Sequence, residues 1–309
     1  HCGKVHVADI GIGADVLGRV QPQTFLNVPE LWAKSFPVPR VDAHKYDRGH
    51  AVVVSGGISS TGAARLAARG ALRAGAGLVT IASPRAALAV NAAASLAVMV
   101  HPVDGASELS AFMSDARRNV VVLGPGGGVG REMQEMALAA LASDCAVVLD
   151  ADALTSFSEH PQALLAALRT RPKGGSVLTP HAGEFSRLFR TLPGISQAGS
   201  KLEQARRAAA EAGAVVLLKG PDTVVAAADG RAAIAENAPP WLASAGSGDV
   251  LAGLAAGLLA QGMPCFEAAS AAVWLHGEAG AQAGPGLIAE DLPEMLPKLY
   301  RRLIGEHGR

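Results

Sequence analysis

Short apolar runs that each end in glycine or polar residues recur through this chain, and they restrict its fold more than any other feature. His50–Gly57 (HAVVVSGG), Leu78–Ala82, Val120–Leu123, Ala146–Leu149, Ser176–Leu178 and Val215–Leu218 are rich in valine and leucine with little alternation. Runs of that kind suit strands buried on both faces. Between them lie segments with helical spacing: residues 59–77 (SSTGAARLAARGALRAGAG), Arg131–Leu141 and Gln204–Glu211. Two short strands are expected around Val224 and Ile234. The C-terminal third reads as helix over Val250–Gln261, Pro264–Ala283 and Leu292–Ile304. Strand and helix in alternation predict an α/β fold, with a mainly parallel sheet covered by helices on both faces. In such sheets ligands bind outside the carboxyl ends of the strands, where this sequence gathers its glycines and charges.

Each strand end allows two readings. Gly124–Gly128 (GPGGG) is either a tight turn or a floor on which backbone approaches a phosphorylated ligand, and Gly56-Gly57 with Thr61-Gly62-Ala63 repeats the ambiguity. It is no dinucleotide fingerprint, which would come early in a βαβ unit with an acid about 20 residues on. Asp150 and Asp152 cap the following helix or approach a metal–phosphate cluster. His181 and Glu184, three apart, form a cap and a surface pair or face a substrate. Lys219 beside Gly220, at the end of a buried strand, suits a phosphate contact.

The densest signal is Asn237–Gln261, where Ala245-Gly246-Ser247-Gly248-Asp249 runs straight into an apolar helical segment. Glycines leave backbone N–H groups bare, and the helix start adds its own unsatisfied N–H groups and positive dipole end, so the stretch is an anion site. A carboxylate there repels the anion unless it has work to do. Asp249 is then a dipole-complementing helix residue, or a base that takes a proton from a hydroxyl while phosphate is transferred to it.

Composition bounds the rest. Half the residues are hydrophobic and 4% aromatic, so the core is to be built from Ala, Val and Leu. Lys+Arg and Asp+Glu number 27 each, which leaves no net field for nucleic acid or an anionic membrane. The apolar runs are far short of the roughly 20 residues a membrane helix needs. Cys2, Cys145 and Cys265 show no metal-site spacing and read as reduced thiols of a cytoplasmic protein. No GxxxxGK[ST], HExxH or GxSxG occurs. Residues 1–36 differ from the rest: Lys4–Ile10 alternates like a strand, and a polar, proline-containing connection leads to Phe36-Pro37-Val38-Pro39. They read as a packed arm or the tail of a preceding domain, and a chain opening on His1 reads as a processed product or a fragment.

Taken together and in order, HKYDRGHAVVVSGG, STGAARLAARGALRAGAGLVTIASP, VVLGPGGG, VVLDADAL, VLTPHAGE, VVLLKGPDT and SAGSGDVLAG resemble the ADP/ATP-dependent NAD(P)H-hydrate dehydratases. The resemblance covers residues 37–305 and implies a ribokinase-like three-layer sandwich, with 37–309 as the dehydratase domain. CGKVHVADIGI is similar to the last strand of the NAD(P)H-hydrate epimerase domain fused ahead of many such enzymes. Departures are Ala245 in a loop that is usually Gly-Gly-Thr-Gly-Asp, Ala182 for a proline, and Gly127 for a larger residue. None removes a reactive group.

By this resemblance the enzyme restores NADH and NADPH from their (6S)-hydrates: a nucleotide, ADP in bacterial relatives or else ATP, phosphorylates the C6 hydroxyl and phosphate leaves. Asp249 would be the base, with the N–H groups of Gly246 and Gly248 holding the transferring phosphoryl group. Lys219, Gly220, Pro221, Asp222 and Thr223, with Gly248, would bind the nucleotide. Ala63, Gly126, Gly128, His181 and Glu184, with Asp249, would line the hydrated dinucleotide. Mg²⁺ is implied by phosphoryl transfer, with its ligands unassigned. Further copies of the chain and a fused epimerase domain remain as partners. A small-molecule kinase of the same fold, acting on a vitamin precursor or sugar, shares the GxGD logic. A non-catalytic nucleotide-binding domain is the alternative from another class.

Overall fold

The valine-rich runs become strands with both faces covered. The computed structural model describes residues 6, 8–11, 13, 15–171 and 173–307. Its strands are β1 (Thr24–Leu26), β2 (His50–Val54), β3 (Leu78–Ser83), β4 (Met99–Pro102), β5 (Val120–Leu123), β6 (Ala146–Leu149), β7 (Ser176–Leu178), β8 (Val215–Leu218), β9 (Val224–Ala226) and β10 (Ala232–Ile234). They form one sheet in the order β1-β10-β9-β8-β7-β6-β5-β2-β3-β4. Every neighbouring pair is parallel except those of β9, which runs antiparallel to both β8 and β10. The short strands expected around Val224 and Ile234 are this reversal, turned at Gly230 with φ 93°.

The helices are α1 (Asp15–Val20), α2 (Pro29–Trp32), α3 (Thr61–Arg73), α4 (Leu88–Ala93), α5 (Gly105–Met113), α6 (Arg131–Leu141) and α7 (Ala151–Ser156). They continue with α8 (Pro161–Arg169), α9 (Ala182–Phe189), α10 (Pro193–Ser196), α11 (Lys201–Ala212), α12 (Ser247–Ala260), α13 (Cys265–Ala283) and α14 (Asp291–His307). Successive strand residues point to opposite faces. Ala51 and Val53 of β2 join the core under α3, α12, α13 and α14, whereas Val52 and Val54 join the core under α5, α6, α8, α9 and α11. The expected mainly parallel three-layer sandwich is what forms.

A core poor in aromatics needs close backbones. Gly70 of α3 and Gly253 and Gly257 of α12 lie where the two helices cross, and a Cβ on Gly253 would collide with the Ala67 carbonyl. A Cβ on Gly257 would meet the Ala71 carbonyl in the same way. A Gly253→Val variant is therefore expected to lose about 1–3 kcal/mol through overpacking, read as a lower urea midpoint with an unchanged slope. An unchanged midpoint would mean that α12 can slide along α3.

Several regions depart from expectation. Residues 88–113 carry α4, β4 and α5, none of them expected; β4 is an edge strand that alternates exposed Met99 and His101 with half-buried Val100 and Pro102. The strand expected over His50–Gly57 stops at Val54, and Ser55–Gly57 form the loop into α3. Of the strand expected over Lys4–Ile10, residues 4, 5 and 7 lie outside the described residues, and residues 6 and 8–10 carry none. Further on, β1 extends the sheet beside β10, and Trp32, 1% exposed, packs against Trp274. Among the described residues no helix is long and apolar enough to cross a membrane.

Candidate active site

The carboxyl ends of β5, β6, β7 and β8 bring the glycine and charged clusters of the sequence to one edge of the sheet. Helix α12 starts there. Gly246 adopts φ 85°, a conformation glycine alone takes without strain, and the next residue begins the helix. The N–H groups of Gly248 and Asp249 find no acceptor among the described residues, so they remain free for a ligand. Twelve of the 14 residues of α12 are buried, which holds the helix start rigidly at the sheet edge.

Asp249 occupies the third position of α12, and its carboxylate makes no hydrogen bond within the described residues. Its side chain therefore caps nothing. Burial pushes Asp249 up to about 6; Asp150 and Asp152 add to the rise and Lys219 opposes it. A carboxylate poised there can exchange a proton near neutral pH.

Lys219 follows β8 and turns across the sheet edge. Its Nζ donates to Oδ1 of Asp150 at 2.7 Å, lies 4.0 Å from Oε2 of Glu184, and comes within 3.5 Å of where a Cβ on Gly248 would sit. The cation thus stands between an acidic anchor and the bare start of α12. Asp150 is 1% exposed, and the same oxygen accepts from Thr179 Oγ1 at 2.7 Å. Asp150 occupies the N-cap position of α7 but makes no side-chain cap bond; its carboxylate is committed to Lys219 and Thr179. Asp152 accepts from the Gly128 N–H at 2.9 Å and so ties the glycine floor to α7.

The remaining expected residues divide. Ala63 and Gly126 are brought together, since a Cβ on Gly126 would lie 3.1 Å from that of Ala63. His181 and Glu184 form a reciprocal cap on α9: Nδ1 of His181 accepts from the Gly183 and Glu184 N–H groups, and Glu184 accepts from the His181 N–H at 2.8 Å. His181 remains half exposed, and its Nε2 lies 3.3 Å from Oε1 of Glu184. In the turn after β8, Thr223 is buried and bonds back to the Gly220 carbonyl at 2.9 Å, and Pro221 is exposed. Asp222 is not turned toward the others: its carboxylate pairs with Lys201 of α11 at 2.8 Å.

Two supporting residues had no role assigned from the sequence. His276 of α13, buried, donates from Nε2 to the Ser247 carbonyl at 2.9 Å and braces the first residue of α12. Burial lowers it to about 4, so the imidazole is neutral at pH 7. Thr179 stands in VLTPHAGE with no role of its own expected, and acts by holding Asp150.

Comparison with known proteins places this geometry. A family model described as NAD(P)H-hydrate dehydratase matches residues 51–298. The bifunctional NAD(P)H-hydrate repair enzyme Nnr of Synechocystis is 35% identical over 99% of this chain, and its counterpart in Moorella thermoacetica is 37% identical over 98%. The chain spans 59% of the length of each of those two relatives. Among solved structures, an ADP/ATP-dependent NAD(P)H-hydrate dehydratase of Bacillus subtilis co-crystallised with ATP/Mg²⁺ superposes with a TM-score of 0.75 at 27% identity, covering 90% of this chain and 98% of that one. The hydroxyethylthiazole kinase of Pyrococcus horikoshii shares the fold alone, with a TM-score of 0.55 at 19% identity over 84% of this chain and 92% of its own.

Proposed function

Because this chain belongs to the NAD(P)H-hydrate dehydratase family, we propose that it restores NADH and NADPH from their C6 hydrates, with ADP as the phosphoryl donor. The observation that carries the reading is Asp249: a carboxylate unpaired among the described residues, lifted toward neutrality, set in the first turn of a helix whose Gly248 and Asp249 N–H groups find no acceptor among them. A group that only bound phosphate would do better without that charge.

Asp249 takes the proton of the C6 hydroxyl as its oxygen attacks the terminal phosphorus of the nucleotide. The bond to the leaving phosphate of AMP breaks, and the backbone N–H groups at the start of α12 stabilise the charge on the transferring phosphoryl group. Loss of the C6–O bond with phosphate, and of a proton from C5, restores the ring double bond. Lys219 neutralises the nucleotide's phosphates while Asp150 holds it in place, and Gly220–Thr223 with Gly248 receive the rest of the donor. Ala63, Gly126 and Gly128 offer flat backbone to the dinucleotide, with His181 and Glu184 beside it.

A nucleotide-borne Mg²⁺ needs only one or two protein carboxylates, the rest of its shell being phosphate and water. Asp152 fits that need: one oxygen is held by the Gly128 N–H, and the other is uncommitted among the described residues. The ion would supply further neutralisation of phosphate charge there. Residues 37–309 are proposed as the dehydratase domain. The stretch ahead of them is proposed as the carry-over of an epimerase-like domain, packed from Thr24 onward against the sheet edge and core.

Near-ultraviolet absorbance of reduced nicotinamide tests the reading directly. Hydrated NADH with ADP and Mg²⁺ is expected to regain it on adding the protein. No recovery with either ADP or ATP, together with nucleotide consumption on a vitamin alcohol, would replace this function with that of a kinase.

A further inference from the structure

We infer that the cleft between α3 and the connection from α4 to β4 receives the adenosine-phosphate half of the dinucleotide substrate, an inference that rests on the function proposed above. The cleft encloses about 610 Å³, within the roughly 300–1,000 Å³ of small-molecule sites. Its inner end is the outer wall of the Asp249 loop. Leu66 lines the cleft, and its Cδ1 lies 2.6 Å from where a Cβ on Gly246 would sit; Ala289, next to Glu290 of the cleft wall, lies 3.0 Å from the same point. A ligand with its reactive ring at Asp249 can therefore continue into the cleft without leaving the surface.

Topology assigns the cleft to the acceptor substrate. The donor loop follows β8, whereas α3 connects β2 to β3 on the far side of β7, β6 and β5. Ala63, proposed for the dinucleotide, belongs to α3, the helix that walls the cleft, and Gly126 packs against it. The two ligands then approach Asp249 from opposite directions, as an in-line transfer requires.

The lining suits a nucleotide. Leu72, Ile81 and Val98 give an apolar wall, and Leu96, fully exposed, adds an apolar side chain to it. Arg65, Arg69 and Arg73 follow one another at i, i+4 and i+8, hence along one face of α3. Glu294 occupies Arg69 and Arg73. Arg65 is exposed and has no partner among the described residues, which leaves one guanidinium for a phosphate.

The test is binding of NADH, the reaction product, to wild type and to Arg65→Glu, with ADP and reduced nicotinamide mononucleotide as further probes. Arg65 makes no contact that folding needs, so the melting temperature should not move. NADH affinity is expected to fall about tenfold or more on reversing a charge that meets phosphate, while ADP and mononucleotide affinities hold. Equal NADH affinity in both proteins overturns the assignment and leaves the proposed function standing. An equal loss for the mononucleotide overturns it as well, since that probe lacks the adenosine half. If wild type neither binds NADH nor restores the absorbance of its hydrate, the functional reading fails and the cleft assignment goes with it.

Discussion

Asp249→Asn is expected to bind ADP as well as wild type or slightly better, and to turn over hydrated NADH about 10²–10⁴-fold more slowly. Asparagine keeps the size of the side chain but takes no proton, and it removes a negative charge beside the incoming phosphate. The pH dependence follows from the same group. With Asp249 at about 6, kcat/KM of the wild type should fall as pH drops through 6, because a protonated base accepts nothing. The stability effect has the opposite sense. The folded value lies above the ordinary 3.8, so the folded chain holds this proton more tightly than the unfolded chain does. Ionisation therefore costs stability, fully above pH 6 and not at all below 3.8. At pH 8 the variant should be more stable than wild type by about 1–2 kcal/mol, a trade of stability for activity, and the gain should vanish in acid. Near-normal turnover with lowered stability would instead make Asp249 a structural helix residue.

Lys219→Met should do more harm to the fold. Asp150 is 1% exposed, and its partners are Lys219 and the Thr179 hydroxyl, each at 2.7 Å. Removing the cation leaves a buried charge with one neutral donor, which costs about 3–5 kcal/mol. ADP affinity should fall as well, since the cation beside Gly248 is lost. The double variant Lys219→Met with Asp150→Asn removes the stranded charge, so most of the stability should return without turnover. Urea unfolding at pH 7 alongside ADP titration separates the two effects. A single variant within about 1 kcal/mol of wild type would show the pair to be worth no more than a surface ion pair.

Much of this molecule is readable from its residues. The continuous apolar runs ending in Gly124, Asp150, Thr179 and Lys219 are legible because a strand buried on both faces must be apolar throughout, and only its end can carry polar groups. The anion site at Gly246–Asp249 is legible because glycines before a helix are a local feature. Local patterns do not reach across the sheet. Asp150 reads from its neighbours as a helix cap, and becomes the anchor of Lys219 only when β6 and β8 flank β7. His276 is 29 positions from Ser247 and meets it only because α13 packs on α12. The rise of Asp249 toward neutrality is likewise tertiary, produced by burial and by a carboxylate 99 positions away in sequence. β4 differs from the others because this edge strand alternates exposed with half-buried residues and its apolar run, Leu96–Val100, ends in no glycine or charged cluster of the kind that marks them. Sequence by itself determined the layers and which residue types stand at the strand ends. Only the tertiary structure decided which of those residues meet, because charge pairing and desolvation act through space between groups that the chain keeps far apart.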